Sequence, residues 1–318
     1  MRARVLAALG LAALVLGCAP APPVQLADQT TLPRRTWVPE EPARAVILAV
    51  HGFNDYSNAF TEFGEFAAEH GIAVHAYDQR GFGANPAAGR WPGTRALIED
   101  LELERARIAE LHPDLPVYIL GESMGAAVVV AAVTSGADLD AAGYILSAPA
   151  VWGGDQLNPF YRATLWVVSR IAPGWKLTGR SLGVMASDNL DALRALADDP
   201  LFIKETRVDA IAGLVRLMDT AYAAAPELPG PLLVLVGEHD EIVPPGAQTA
   251  MIERLRATPC TNVVYPDGWH LLLRDLQRRI VWRDILAWID SEPLPSGHGE
   301  RCGEEALPVA GADAAMAG

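Results

Sequence analysis

The sequence predicts an α/β fold: a mostly parallel central sheet, helices on both faces, and a helical cap inserted late in the chain. Three observations carry this. From residue 45 onward, short apolar runs alternate with amphipathic stretches, and strands of a parallel sheet covered on both faces are expected to be continuously apolar. Around Ser123 one such run turns abruptly into a small-residue helix. Between about residues 150 and 228 the alternation gives way to helical stripes.

In chain order, residues 45–50 form a buried strand, 59–70 a helix, and 72–77 a strand ending at Asp78. An amphipathic, charge-rich helix spans 94–111. The strand before Ser123 ends with Val117-Tyr118-Ile119-Leu120, and the helix after it runs from 126 to 133. Strands follow at 144–146, 231–236 and 262–265, with helices at 248–256 and 276–289. Within the insertion, Phe160, Thr164, Val167, Val168 and Ile171 share one helical face, and Ile211, Leu214, Val215, Met218 and Tyr222 share another. These stripes can pack on each other, and some can line an apolar channel over Ser123, with Trp152, Phe160 and Trp166 as candidate substrate contacts. The resulting division is an α/β core over 45–149 and 229–290 around a cap over 150–228, without internal repeats.

The chain has 318 residues, 51% of them apolar, enough for one large α/β domain with an insertion. Its formal net charge of -14 repels phosphate backbones and argues against a nucleic-acid partner. Arg2 and Arg4 precede an apolar run too short to span a bilayer, so residues 1–17 form a signal peptide. Leu14-Val15-Leu16-Gly17-Cys18 resembles a bacterial lipobox, which implies cleavage before Cys18 and lipidation of its thiol. Pro22 makes cleavage after Ala19-Pro20-Ala21, the other reading, a poor site. By the same resemblance, Ala19 in place of Asp permits sorting to an outer membrane, so the protein is expected in a bacterial cell envelope, lipid-anchored and facing the periplasm. Residues 18–44 are proline-rich and form a tether followed by short edge strands around Trp37. Cys260 and Cys302 can pair in an oxidising compartment; two unpaired thiols are the other reading. A bridge would pin the tail from 291 to 318, which its Gly, Ala and Pro content marks as disordered.

The chemistry centres on Gly121-Glu122-Ser123-Met124-Gly125. A strand, sharp turn and helix with glycines two residues either side present a strained serine at the carboxyl edge of a sheet, above a helix N-terminus. A serine hydroxyl needs a base. His270, after the last strand in Gly268-Trp269-His270, is the best of seven histidines. His51, His75 and His239 lie earlier near strand ends, and His70, His112 and His298 sit at helix ends or in the tail. Asp240, in the run Gly237-Glu238-His239-Asp240, is the expected orienting acid, with Glu238, Glu241 and Asp267 as competitors. Oxyanion donors are expected from the backbone N–H of Met124 and of Phe53, the latter in His51-Gly52-Phe53 after the first core strand. No paired-ligand spacing for a metal and no cofactor motif is found.

Together with Asp78-Gln79-Arg80-Gly81-Phe82-Gly83, these pieces occur in an order that resembles the α/β-hydrolase superfamily. Within it they resemble the monoacylglycerol lipase and lysophospholipase branch, also described as serine aminopeptidase-like, from about residue 45 to about residue 290. The resemblance implies a serine carboxyl-ester hydrolase with a mobile cap, working through an acyl-enzyme on a hydrophobic acyl ester such as a monoacylglycerol or lysophospholipid. It also implies a structural, non-catalytic role for the turn at 78–83. Phe53 is bulkier than the small residues common in that loop, and the cap names no substrate. Two other readings stand beside it: an aminopeptidase on short peptides, and a non-catalytic lipoprotein that binds lipid or a partner. Phe53-Asn54-Asp55 and Met124 depart from the pattern typical of the peptidases, and the intact Ser, Asp and His argue against a silent protein.

Overall fold

Each central strand buries both faces, and period-2 geometry divides its side chains between two cores. In strand order the structure, a computed structural model, contains β1 (Arg34–Trp37), β2 (Ala45–Val50), β3 (Ile72–Tyr77), β4 (Val117–Glu122), β5 (Gly143–Ser147), β6 (Lys176–Thr178), β7 (Glu205–Arg207), β8 (Leu232–Gly237), β9 (Cys260–Tyr265) and β10 (Gly299–Arg301). It describes residues 32–302 apart from 138, 154–157, 179–182 and 258. Residues 1–17, read above as a signal peptide, and Cys18 therefore lie outside the described residues. The helices are α1 (Thr61–Glu69), α2 (Thr94–Leu111), α3 (Met124–Thr134), α4 (Pro159–Ile171), α5 (Leu190–Asp198), α6 (Val208–Ala224), α7 (Pro245–Arg254) and α8 (Arg278–Ile289).

The eight-stranded sheet has the order β1-β3-β2-β4-β5-β8-β9-β10. Its six inner strands are parallel, and β1 and β10 close the two edges antiparallel. On β2, Val46, Leu48 and Val50 join one core with Leu97 and Leu101 of α2 and the aliphatic residues of α3. Ala45, Ile47 and Ala49 point the other way, into a core with Phe63 and Phe66 of α1 and Trp282 and Ile285 of α8. This is the doubly covered parallel sheet that the apolar runs predict. The expected edge strand around Trp37 is β1, paired with β3.

Three expectations need correction. First, part of the tail is ordered: β10 adds to β9 with Gly299 opposite Val263, and Cys260 is bridged to Cys302. A bare β9 edge would leave unpaired backbone donors and acceptors, and the tail satisfies them; residues 303–318 lie outside the described residues. Second, the buried face of α6 is wider than the stripe read from its sequence: Met218 is buried and Leu214 and Tyr222 pack on the core, but so do residues outside the stripe. It packs on α3, with Leu217 and Ala221 in the same core as that helix. Third, the insertion between β5 and β8 contains a two-stranded antiparallel ribbon of β6 and β7 beside its helices. These strands are three residues each and mostly exposed, too short for an alternation signal.

A half-buried histidine pair lies beside β3. His75 Nε2 lies 3.0 Å from His112 Nε2 at the C-cap of α2. Burial, with His112 and Arg107 adding to it, lowers the His75 pKa from 6.5 to about 4. Between those values the unfolded chain binds a proton that the folded chain refuses, so His75 makes stability fall as pH drops from about 6.5 to about 4. Thermal melts at pH 7 and pH 5 are expected to differ less in His75→Gln than in the wild type; an unchanged difference would remove His75 as a cause.

Candidate active site

Ser123 is the single residue between β4 and α3, and it has φ 54° and ψ -113°. A β-carbon is costly there, so the conformation persists only where neighbours impose it. Its N–H donates to the Ser147 carbonyl at 2.9 Å, and its carbonyl accepts from the Ala150 N–H at 3.1 Å. The glycines of the motif have a measurable cause. A β-carbon on Gly125 would collide with the Val50 carbonyl, and one on Gly121 would lie 2.6 Å from the Ala126 Cα. The strand–helix crossing is therefore tight enough to admit only glycine at both places.

The hydroxyl so presented meets a base. His270 Nε2 is 2.9 Å from Ser123 Oγ, and His270 Nδ1 is 2.8 Å from Asp240 Oδ2. All three residues are buried. Asp240 is held on every side: Gln248 Nε2 donates to Oδ2 at 3.0 Å, and the N–H groups of Ile242 and Val243 donate to Oδ1 at 2.8 and 2.9 Å. A carboxylate only accepts, so Nδ1 carries the ring proton and Nε2 is free to accept from the serine. The competing acids are placed elsewhere. Glu238 and Asp267 are exposed, and Glu241 accepts the Met185 N–H of the cap at 2.6 Å.

The loop after β2 lies against the serine: a β-carbon on Gly52 would be 3.4 Å from Ser123 Cβ. Phe53 follows, and its N–H is the donor expected from this loop. Met124 opens α3, where first-turn N–H groups have no helical acceptor. The bulk of Phe53 is absorbed by an edge contact with Phe82 and a tilted contact with Trp91, at ring separations of 5.7 and 6.5 Å. His51 is structural. Its Nδ1 donates to the Gly52 carbonyl at 2.8 Å, its Nε2 accepts the Gln79 N–H at 3.0 Å, and burial lowers its pKa. Asp78 is structural too, accepting from Ser57 and Ala84, as the turn at 78–83 was expected to be.

The cap aromatics separate. Trp152 packs with Ala150, Met218, Val243 and Ala247, two residues from the N–H that bonds the Ser123 carbonyl. Phe160 and Trp166 do not line a closed channel: they are 73% and 59% exposed on α4, whose only buried residue is Ser169. Helical periodicity identifies the face they share but not what covers it.

Sequence reasoning also missed a buried ion cluster beside the serine. Arg274 Nη1 is 2.7 Å from Asp55 Oδ2, and Arg274 Nη2 is 3.1 Å from Glu122 Oε2. Burial raises the Glu122 pKa, against the pull of Arg274. Burial acts to lower the Arg274 pKa, but Asp55 and Glu122 outweigh it and hold the guanidinium charged. The available signal was the charged pair Arg274-Asp275 directly after the apolar run Leu271-Leu272-Leu273.

A parallel sheet, a strained serine turn at its carboxyl edge, and an imidazole between hydroxyl and carboxylate together define a hydrolase of the α/β class. More narrowly, the chain belongs to the serine aminopeptidase S33 family, whose model matches residues 41–277. It is 28% identical over 271 residues to a monoacylglycerol lipase of Mycolicibacterium smegmatis, covering 80% of this chain and 91% of that one. With the human monoglyceride lipase it shares 25% identity over 287 residues, covering 85% and 90% respectively. Among solved structures, the Paleococcus ferrophilus monoacylglycerol lipase superposes with a TM-score of 0.69 at 23% identity, over 82% of this chain and 99% of that one. A soluble variant of the Saccharomyces cerevisiae monoglyceride lipase, in complex with a substrate analogue, gives 0.70 at 18% identity, over 85% and 98%. These two structures share the fold.

The Gly125 contact gives a direct test. Gly125→Ala drives a methyl into the Val50 carbonyl, which α3 and β2 can relieve only by moving apart. The expected destabilisation is about 3 kcal/mol, a fall in Tm of roughly 6–12 °C by differential scanning fluorimetry. An unchanged Tm would mean that the crossing tolerates a side chain.

Proposed function

We propose that the protein is a serine carboxyl-ester hydrolase that cleaves a hydrophobic acyl ester, monoacylglycerol or lysophospholipid, through an acyl-enzyme intermediate. The observation that carries this reading is the unbroken hydrogen-bond chain from Ser123 through His270 to Asp240, with both links at 2.9 Å or less. As Ser123 Oγ attacks the acyl carbonyl, its proton passes to His270 Nε2. Asp240 holds the ring in the right tautomer and stabilises the imidazolium. The carbonyl oxygen, now an anion, is received by the N–H groups of Met124 and Phe53, each worth roughly 2.7–4 kcal/mol in sites of this kind. Collapse expels the alcohol, to which His270 returns the proton. A water then repeats the sequence on the acyl-enzyme, with His270 again taking and returning a proton.

A fatty acyl chain is supported by the monoacylglycerol and monoglyceride lipases among the relatives. It is also supported by the apolar surroundings of Trp152, which we assign to the acyl path beside Ser123. The exposed apolar residues of α4, Phe160 and Trp166 among them, suit a substrate drawn from a lipid phase. Lipidation of Cys18 would tether the enzyme to the membrane that supplies such a substrate, and with Ala19 following, that membrane is the outer membrane.

Labelling with a fluorophosphonate tests the nucleophile: the wild type is expected to label and Ser123→Ala not to, while labelling that survives the substitution would place the nucleophile elsewhere. In Asp240→Asn, kcat for a p-nitrophenyl ester is expected to fall on the order of 10³–10⁴-fold with the fold intact by circular dichroism; a near-normal kcat would move the role to another acid. Comparison of 1-monoacylglycerol with lysophosphatidylcholine then assigns the head group. Cys18→Ser is expected to move the protein from the membrane fraction to the soluble one, and membrane retention would require a different anchor.

A further inference from the structure

The cluster of Arg274, Asp55 and Glu122 joins three loops that the proposed chemistry needs together. Asp55 lies two residues after Phe53 on the loop following β2. Glu122 immediately precedes Ser123. Arg274 follows His270 by four residues, on the segment that carries the imidazole to the serine. One guanidinium spans both carboxylates, and the side chains of Arg274, Asp55 and Glu122 are only 12%, 6% and 1% exposed.

Each member is also fixed to its own loop. Asp55 Oδ1 accepts the Tyr56 N–H at 2.9 Å, and the Asp55 N–H donates to the Gly52 carbonyl. Asp275, beside Arg274, closes the histidine loop by accepting the Trp269 N–H at 2.7 Å, and Asn189 Nδ2 donates to the Arg274 carbonyl at 2.8 Å. A buried charge cluster is a poor means of gaining stability, because desolvation offsets most of the Coulomb attraction. Glu122 Oε1 and Arg274 Nε, both buried, have no hydrogen-bond partner among the described residues, so the cluster is not built for the largest number of bonds. What it does supply is geometry. A planar fork with fixed donor directions sets the distance between two carboxylates, which a lysine ammonium cannot do.

We propose that Arg274 is a positioning residue for the ester hydrolysis inferred above: through Asp55 and Glu122 it locks the Phe53 loop, the serine turn and the His270 loop into one frame. The inference rests on that reading of the function. Its consequence is selective. Loosening the frame misplaces the oxyanion donor and the imidazole relative to Ser123 Oγ, and errors of about 1 Å at such a site cost on the order of 100-fold in rate. The acyl-binding surface around Trp152 is left as it was.

The test uses the full-length chain and three variants. Arg274→Lys keeps the charge but not the fork. Asp55→Asn keeps the Oδ1 acceptor for Tyr56 but loses the ion pair. Glu122→Gln keeps the shape and removes the other charge, and remains available if a variant at Arg274 does not fold. In folded variants we expect kcat for a p-nitrophenyl ester to fall about 10–100-fold, with KM within about twofold. The second-order rate of fluorophosphonate labelling should fall in parallel, because phosphonylation uses the same oxyanion donors. A merely structural role would lower Tm and leave both rates per folded molecule unchanged, and that result, or a loss confined to KM, overturns the proposal. If the wild type neither hydrolyses esters nor labels at Ser123, the functional reading itself fails and this inference goes with it; wild-type activity with unaffected variants removes this inference alone.

Discussion

The close approach of β2 to α3 sets the geometry on which the rest of the site depends. With no β-carbon on Gly125, the Val50 carbonyl sits against the start of the helix. The chain must then reverse within one residue, so Ser123 takes a positive φ and its hydroxyl stands clear of both elements. The same contact brings the loop after β2 against the serine, because β2 and β4 are parallel neighbours with Val50 opposite Gly121. Ser123 and the loop after β2 are thus placed by one packing decision. His270 arrives separately, from the loop beyond β9, two strands farther from β4 than β5.

Two kinds of buried charge result, and they differ in how they are satisfied. Asp240 receives bonds from Gln248, Ile242, Val243 and His270, so its charge is spread over well-placed donors. Such a carboxylate can stabilise a transient imidazolium without moving. Glu122 has Arg274 on one oxygen only, and burial raises its pKa. The first arrangement suits a group that answers a change of charge nearby. The second suits a group whose position, more than its charge, is used.

Much of this was legible in the chain because the relevant signals are local or ordered. The apolar runs gave the parallel sheet, since strands covered on both faces leave no polar positions. The Gly-x-Ser-x-Gly spacing gave the turn, since backbone collisions two residues either side leave no other choice. Asp240 and His270 were legible as residues at strand ends in a particular order. What stayed hidden depends on pairing at a distance. Glu122 stood inside the motif, yet nothing in its neighbourhood named Arg274, 152 positions away, as its partner. The bridge between Cys260 and Cys302 was one of the readings the cysteines allowed, but the ordered strand of the tail was hidden, because Gly, Ala and Pro content reports low local propensity, whereas the open edge of β9 is a tertiary fact. Helical stripes in the cap reported amphipathicity without telling a face turned to protein from one turned to solvent.

That last ambiguity has a physical resolution, because the insertion is not uniformly attached. Its later part is bonded into the loops of the site: Tyr56 Oη donates to Asp199 at 2.6 Å, Asn54 Nδ2 to Thr206 at 2.7 Å, and Ser187 Oγ to Asp275 at 2.6 Å. The Leu271 N–H donates to the Ala186 carbonyl, next to His270. Helix α4 buries one residue, Ser169, and leaves Phe160, Tyr161, Trp166 and Ile171 exposed. Displacing segment 186–206 would break buried and part-buried hydrogen bonds to the loops that hold His270 and Phe53, and loss of the buried Ser187–Asp275 bond would leave a desolvated group unpaired at roughly 1–3 kcal/mol. Displacing α4 breaks far less. The insertion is therefore held firmly where it meets the loops of His270 and Phe53, and loosely at α4.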